Sequence, residues 1–188
     1  VITYEFENVP VAALQHIDGI APIYPPAAAL SFSQDRLHEK QLFESLGIPL
    51  AASHAIDSRA DLDAAAHELG LPMLVKTRRL GYDGKGQCVV KDASDLDTAW
   101  ESLGGQPLIA EQWIAFDYEI SCIGVRSVSG DIAIYPISKN VHVDGILRTS
   151  RSPLAEPRLA ETASDYVHRL LDHLNYVGVL ALELFVVD

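Results

Sequence analysis

Basic residues are scarce in this chain: 14 Lys and Arg stand against 26 Asp and Glu in 188 residues, a formal charge of −12. Non-specific attachment to nucleic acid or anionic lipid rests on many basic contacts, so this balance argues against both and points to small-molecule partners. Only two cysteines occur, Cys88 and Cys122. They have no CxxC spacing and no neighbouring His pair, so neither a zinc site nor a disulfide framework is expected, and both read as reduced core thiols. Long hydrophobic runs are missing as well. The residues are 48% apolar, mostly Leu, Val and Ala, yet Pro, Gly or a charge interrupts each run before the roughly 20 residues of a membrane span. The opening VITYEFENVP has no basic leader and no small-residue cleavage site, so no secretory signal is expected and a cytoplasmic location is the default. GxxxxGK[ST], GxGxxG and a GxSxG elbow are absent, and no Cys/His pair has catalytic spacing, which sets aside P-loop, Rossmann and covalent-nucleophile readings.

The chain has enough apolar residues to build a real core. The few cations are also grouped. Lys76, Arg78, Arg79 and Lys85 fall in one ten-residue stretch interleaved with glycines, and Lys139, His142, Arg148 and Arg151 form a later cluster. Positive charge focused at two short segments of an acidic protein is what a site for a polyanionic small molecule requires. The alternative is two solvated basic loops.

Residues 1–4 read as a short strand and 9–17 as a helix with Asn8 as cap and Gly19 after its end. Three prolines in Pro22-Ile23-Tyr24-Pro25-Pro26 exclude a helix or central strand and mark a boundary. Ser33 is the expected cap of a helix over 34–46, followed by strands over 50–56 and 73–77, with a helix over 61–69 between them and a return strand over 87–90. A helix over 93–103 precedes a strand over 108–112. Two strands, 118–128 and 132–138, are joined by a hairpin at Ser129-Gly130-Asp131. The longest helix covers 156–174 and a nearly continuous apolar strand 179–187. The pattern predicts an α+β chain with mostly antiparallel strands, and both ends read as cut from a larger enzyme.

Lys76 closes a strand and is followed by Gly81, Tyr82, Asp83, Gly84, Lys85, Gly86 and Gln87. Three glycines let such a loop bring backbone N–H groups close to a ligand, and Lys76 and Lys85 can neutralise phosphate charge. A mobile turn is the alternative. Glu183 interrupts VGVLALELFVV, where a buried carboxylate would need a partner and a metal ion is the natural one. An edge-strand charge facing water is the other reading.

The loop KTRRLGYDGKGQ, with TYEFENVP, DRLHEKQLFESLGIP, EQWIAFDYEIS, YPISKNVHVDGILRTSRSP and YVGVLALELFVVD, resembles the ATP-grasp enzymes and, within them, the 5-(carboxyamino)imidazole ribonucleotide synthases. The resemblance covers nearly the whole chain in order. It implies an ATP-grasp fold, two α+β subdomains clamping ATP, here residues 27–106 and 107–188. Residues 1–26 would then be the tail of a preceding α/β domain. It also implies ATP and magnesium as cofactors, 5-aminoimidazole ribonucleotide and bicarbonate as substrates, and a homodimeric intact protein.

By position, the resemblance makes Arg36 and Lys76 nucleotide contacts and residues 81–87 a lid. Glu111, Gln112, Trp113 and Ile114 would hold adenine, Glu119 the ribose hydroxyls, and His142 the nucleotide. Lys85 and Arg148 would lie near the transferred phosphate, Glu183 would ligate magnesium, and Glu5 would touch the imidazole nucleotide. By type alone, Trp113 and Ile114 would be core residues and Glu111 and Glu119 solvated strand charges. Two rivals stand beside this reading: another ATP-grasp ligase, such as a formate-dependent glycinamide ribonucleotide enzyme or a biotin carboxylase, and a nucleotide-binding module without catalysis.

Overall fold

A computed structural model describes residues 1–81, 85–143 and 145–187. The chain divides into two compact units, one formed by Val1–Ser33 with Phe116–Asp188 and the other by Gln34–Ala115. Among the described residues no helix is long and apolar enough to cross a membrane.

The expected opening strand contracts to one parallel bridge, Ile2 to Ile23. Helix α1 (Val11–His16) starts directly after Pro10 with no side-chain cap, so Asn8 does not serve as one. The proline-rich segment leads into a helix that the sequence did not announce, α2 (Ala27–Ser33). Ser33 closes that helix, its hydroxyl donating to the Leu30 carbonyl at 3.2 Å. The cap of α3 (Arg36–Ser45) is therefore Asp35, whose carboxylate accepts from Leu37 N–H at 3.0 Å.

The unit of residues 34–115 continues with β1 (Ser53–Ile56), α4 (Arg59–Leu69), β2 (Met73–Thr77), β3 (Gln87–Val90), α5 (Asp95–Leu103) and β4 (Leu108–Gln112). Ser58 and Asp61 form a reciprocal capping box that starts α4. The strands pair antiparallel in the order β1-β4-β2-β3. Since β4 lies between β1 and β2, it belongs to this sheet although it follows the boundary expected at 106/107, and the unit runs on to Ala115. Alternation gives the sheet its two faces. Met73, Val75, Leu108 and Ala110 point into a core with Leu62 and Ala65 of α4 and Leu96 and Ala99 of α5. Leu74, Lys76 and Glu111 point to the other face.

In the second unit, β5 (Tyr118–Arg126), β6 (Ile132–Ile134), β7 (Ser138–Val143) and β8 (Ile146–Arg151) are followed by α6 (Pro157–His173) and β9 (Gly178–Val186). The sheet order is β6-β5-β7-β8, with β9 along the other edge of β5. The strand expected over 132–138 divides into β6 and β7 at Pro136, which has no N–H to give a ladder. Ala163, Val167, Leu170 and Leu171 form the buried stripe of α6.

That stripe meets the backbone of β5. A Cβ built on Gly124 would lie 2.5 Å from Val167 Cγ1 and 2.9 Å from Ile134 Cδ1. Gly124→Val is therefore expected to destabilise the protein by about 1–3 kcal/mol through overpacking, read as a lowered urea midpoint. An unchanged midpoint would show that α6 is not seated on this strand.

Candidate functional site

In the unit of residues 34–115, the turn from β2 towards β3 is fixed at its described ends. Thr77 N–H donates to the Gly86 carbonyl at 2.8 Å. Gly86 has φ 71°, and a Cβ there would sit 2.7 Å from Thr77 Oγ1, so both the backbone and the space require glycine. A Cβ on Gly81 would lie 3.3 Å from Arg36 Nη2, which places that guanidinium beside the first glycine of the loop. Lys85 and Gln87 are exposed. Tyr82, Asp83 and Gly84 lie outside the described residues.

Lys76 lies on the sheet face opposite α4 and α5. Its Nζ donates to Glu111 Oε2 at 2.7 Å, and Lys40 Nζ from α3 lies 3.3 Å from Glu111 Oε1. Burial pushes the Glu111 carboxyl up, and the two ammonium groups more than offset this, holding it below its ordinary range. The rest of the first basic cluster has other roles. Arg78 gives a bidentate ion pair to the buried Asp35, and Arg79 donates to Gln34. Gln112 is exposed, Ile114 half-buried, and Trp113 is 48% exposed, so the indole is not a core residue.

In the other unit, an open cavity of about 270 Å³ is lined by Glu119, His142, Gly145, Glu183, Leu184 and Phe185. Cross-strand register explains the grouping: Glu119 pairs with Asn140 and with Phe185, and Ser121 pairs with Glu183, so these side chains share one face. A bulge between Val141 and His142 alters the register at the imidazole. His142 Nδ1 is sealed from water, with the Glu119 carboxylate as its ion-pair partner. Phe185 is held by stacking on Phe116, with ring centroids 4.2 Å apart. Beneath the carboxylates lies a polar layer missed in the sequence. Asn140 is 4% exposed, donates to Ser121 Oγ at 2.5 Å and accepts from Ser150 Oγ at 2.8 Å.

Glu183 is exposed, and among the described residues β9 pairs only with β5. Among the described residues no three His, Cys, Asp or Glu groups gather as a metal cage. Of the two carboxylates lining the cavity, Glu119 faces His142 and Glu183 is left for a magnesium ion, which takes few carboxylates and completes its shell with phosphate oxygens and water. Alternation also divides the second basic cluster. Lys139 turns to the face of Tyr118, its Nζ 3.8 Å from the ring centroid and opposite Arg151. Arg148 is exposed on β8 and is not among the described residues lining the cavity. Glu5 is exposed near the start of the chain.

A model of the ATP-grasp domain matches residues 41–188. The chain is 44% identical over 187 residues to N5-carboxyaminoimidazole ribonucleotide synthase of Pseudomonas aeruginosa, covering 100% of this chain and 52% of that protein. The crystal structure of N5-carboxyaminoimidazole ribonucleotide synthetase from Thermus thermophilus matches with a TM-score of 0.92 at 45% identity, over 99% of this chain and 51% of that one. The Aspergillus clavatus N5-carboxyaminoimidazole synthase, in complex with ADP and 5-aminoimidazole ribonucleotide, matches with a TM-score of 0.90 at 25% identity, over 100% and 50% of the two chains. The chain spans about half the length of the curated relatives it matches.

Proposed function

The chain belongs to the ATP-grasp family, and from its likeness to the N5-carboxyaminoimidazole ribonucleotide synthases we propose that the whole protein uses ATP to carboxylate 5-aminoimidazole ribonucleotide with bicarbonate. A bicarbonate oxygen attacks the γ-phosphorus and the bond to ADP breaks, giving carboxyphosphate. The nucleotide's amine then attacks the carboxyl carbon, loses a proton and expels phosphate. The observation that carries this reading is the cavity that gathers Glu119, His142 and Glu183, positions matched separately to nucleotide and metal contacts in the sequence.

Each residue has a physical task in this scheme. Lys76, with Arg36 and Lys85, attracts the phosphate chain, and the glycines at 81 and 86 leave room for backbone N–H groups to approach it. Gln112, Trp113 and Ile114 receive the base. Glu119 accepts hydrogen bonds from the ribose hydroxyls, with its carboxylate already oriented by His142. Glu183 would hold magnesium, which when bound neutralises charge on the phosphates. Arg148 adds positive charge for the transferring phosphoryl group. Positioning and electrostatic stabilisation carry the rate, and excluding water protects a labile acyl phosphate.

The test is ADP release by the whole protein with ATP, magnesium and bicarbonate present, adding 5-aminoimidazole ribonucleotide or glycinamide ribonucleotide. Stimulation by the imidazole nucleotide alone is expected. Stimulation by glycinamide ribonucleotide would move the protein to another ATP-grasp ligase, and tight ATP binding with no stimulated release would make it a nucleotide-binding module.

A further inference from the structure

Glu111 has two cationic partners where one would neutralise it. Lys76 Nζ lies 2.7 Å from Oε2 and Lys40 Nζ 3.3 Å from Oε1, and the side chains of Lys40, Lys76 and Glu111 are 15%, 16% and 12% exposed. Among the described residues, two ammonium groups on one carboxylate leave this cluster with a surplus positive charge in a place largely closed to water. Such a charge is unfavourable by itself and favours an anion beside it. The helix that supplies Lys40 also supplies Arg36, four residues earlier and so on the same side of α3. Arg36 reaches the first glycine of the loop, while Lys40 reaches the carboxylate that holds Lys76.

We propose that Lys40 is a positioning residue for phosphate binding, the standing counter-ion of Glu111 that frees Lys76 for an anionic phosphate chain. Without Lys40, drawing Lys76 to a phosphate would strand a mostly buried carboxylate, so the Lys76–Glu111 pair would oppose binding. With Lys40 in place, Glu111 keeps a partner and the surplus charge faces the ligand. The inference rests on the nucleotide-binding reading above and extends it to a residue outside the motif loop.

The experiment measures the affinity of the whole protein for ADP and for adenosine in wild type, Lys40→Met, Lys40→Arg and the double variant Lys40→Met with Glu111→Gln. Lys40→Met is expected to weaken ADP about tenfold, the size of one charge coupling, and adenosine less than about twofold, since adenosine has no phosphate. Lys40→Arg should retain most of the ADP affinity. The double variant should bind ADP more tightly than Lys40→Met alone, because the stranded carboxylate is gone. Equal weakening of ADP and adenosine would reduce Lys40 to a structural role, and so would a double variant worse than the single one. Either result overturns the proposal, as does unchanged ADP affinity in Lys40→Met. Failure of the carboxylation reading would instead appear in wild-type ADP release, independently of these differences among variants.

Discussion

Asp35→Ala is expected to lower the unfolding free energy of the unit of residues 34–115 by about 3–5 kcal/mol, the range for breaking a buried ion pair from one side. Asp35 is 4% exposed. It receives Arg78 Nε on Oδ1 at 2.9 Å and Nη2 on Oδ2 at 2.8 Å, and the same Oδ1 caps α3 through Leu37 N–H. Alanine leaves the guanidinium, only 15% exposed, without its carboxylate, and removes a cap worth about 1 kcal/mol. Asp35→Asn keeps an acceptor for the cap but not the charge, so it should fall between.

The pair also fixes a pH dependence. Burial pushes the Asp35 carboxyl up, and the hydrogen bonds from Arg78 and Leu37 more than offset this, so its pKa lies below the ordinary value. The folded chain then binds fewer protons than the unfolded one. Its contribution is complete above the ordinary aspartate range and is lost as pH falls through the depressed folded pKa. Glu111 acts in the same direction. Wild-type stability should therefore fall steeply at acidic pH, and that fall should be shallower in Asp35→Ala. Both tryptophans, Trp100 and Trp113, lie in this unit, so urea titrations followed by indole fluorescence report on it. A loss below about 1 kcal/mol at neutral pH would mean that Arg78 finds other partners at little cost.

Asp35 also shows where sequence reading stopped. Ser33 and Asp35 are both good caps, and the choice between them is made by Arg78, far along the chain. Similarly, α2 (AAALSFS) has no charged residue to give it a polar face. The hairpin of β7 and β8 went unread because every residue of β8 is exposed and the strand lacks an apolar-polar alternation to read. By contrast, β2, β3, β4, β9 and α6 lay close to their expected positions, since burial on one face prints its period on the sequence.

The site divides along the same line. Glycine spacing singles out Lys76 and the loop in the sequence, because backbone conformation is a local property of residue type. Glu183 had two readings, a buried carboxylate or a strand charge facing water, because composition cannot choose between them; its side chain is exposed. Clustering of bases along the chain also misled, since alternation along β7 separates Lys139 from His142 and Arg78 is committed to Asp35. Lys40 and Asn140 carried no signal of their own. Each gains a role only from partners that the fold brings up, Glu111 for one and Ser121 and Ser150 for the other.

If the whole protein carries out the proposed ATP-dependent carboxylation, Lys76→Met is expected to lower its kcat/KM by about 10²–10³, the cost of removing one preorganised charge from a transferring phosphoryl group. Lys76 ends in an ammonium held at 2.7 Å by Glu111 on a central strand of a four-stranded sheet. Little reorganisation is then needed for it to meet a phosphate. Stability should change far less than activity, because Lys40 still balances Glu111 in the variant. Lys76→Arg should recover only part of the loss, since a planar fork replaces a compact point charge on the same carboxylate. The measurement is steady-state ADP release by the whole protein at saturating imidazole nucleotide and bicarbonate, with the urea midpoint taken on the same samples. A loss under about tenfold with an unchanged midpoint would move the catalytic charge from Lys76 to Lys85 or Arg148. A fall in midpoint as large as that of Asp35→Ala would mean that Glu111 depends on Lys76 alone, and that Lys40 gives it no independent support.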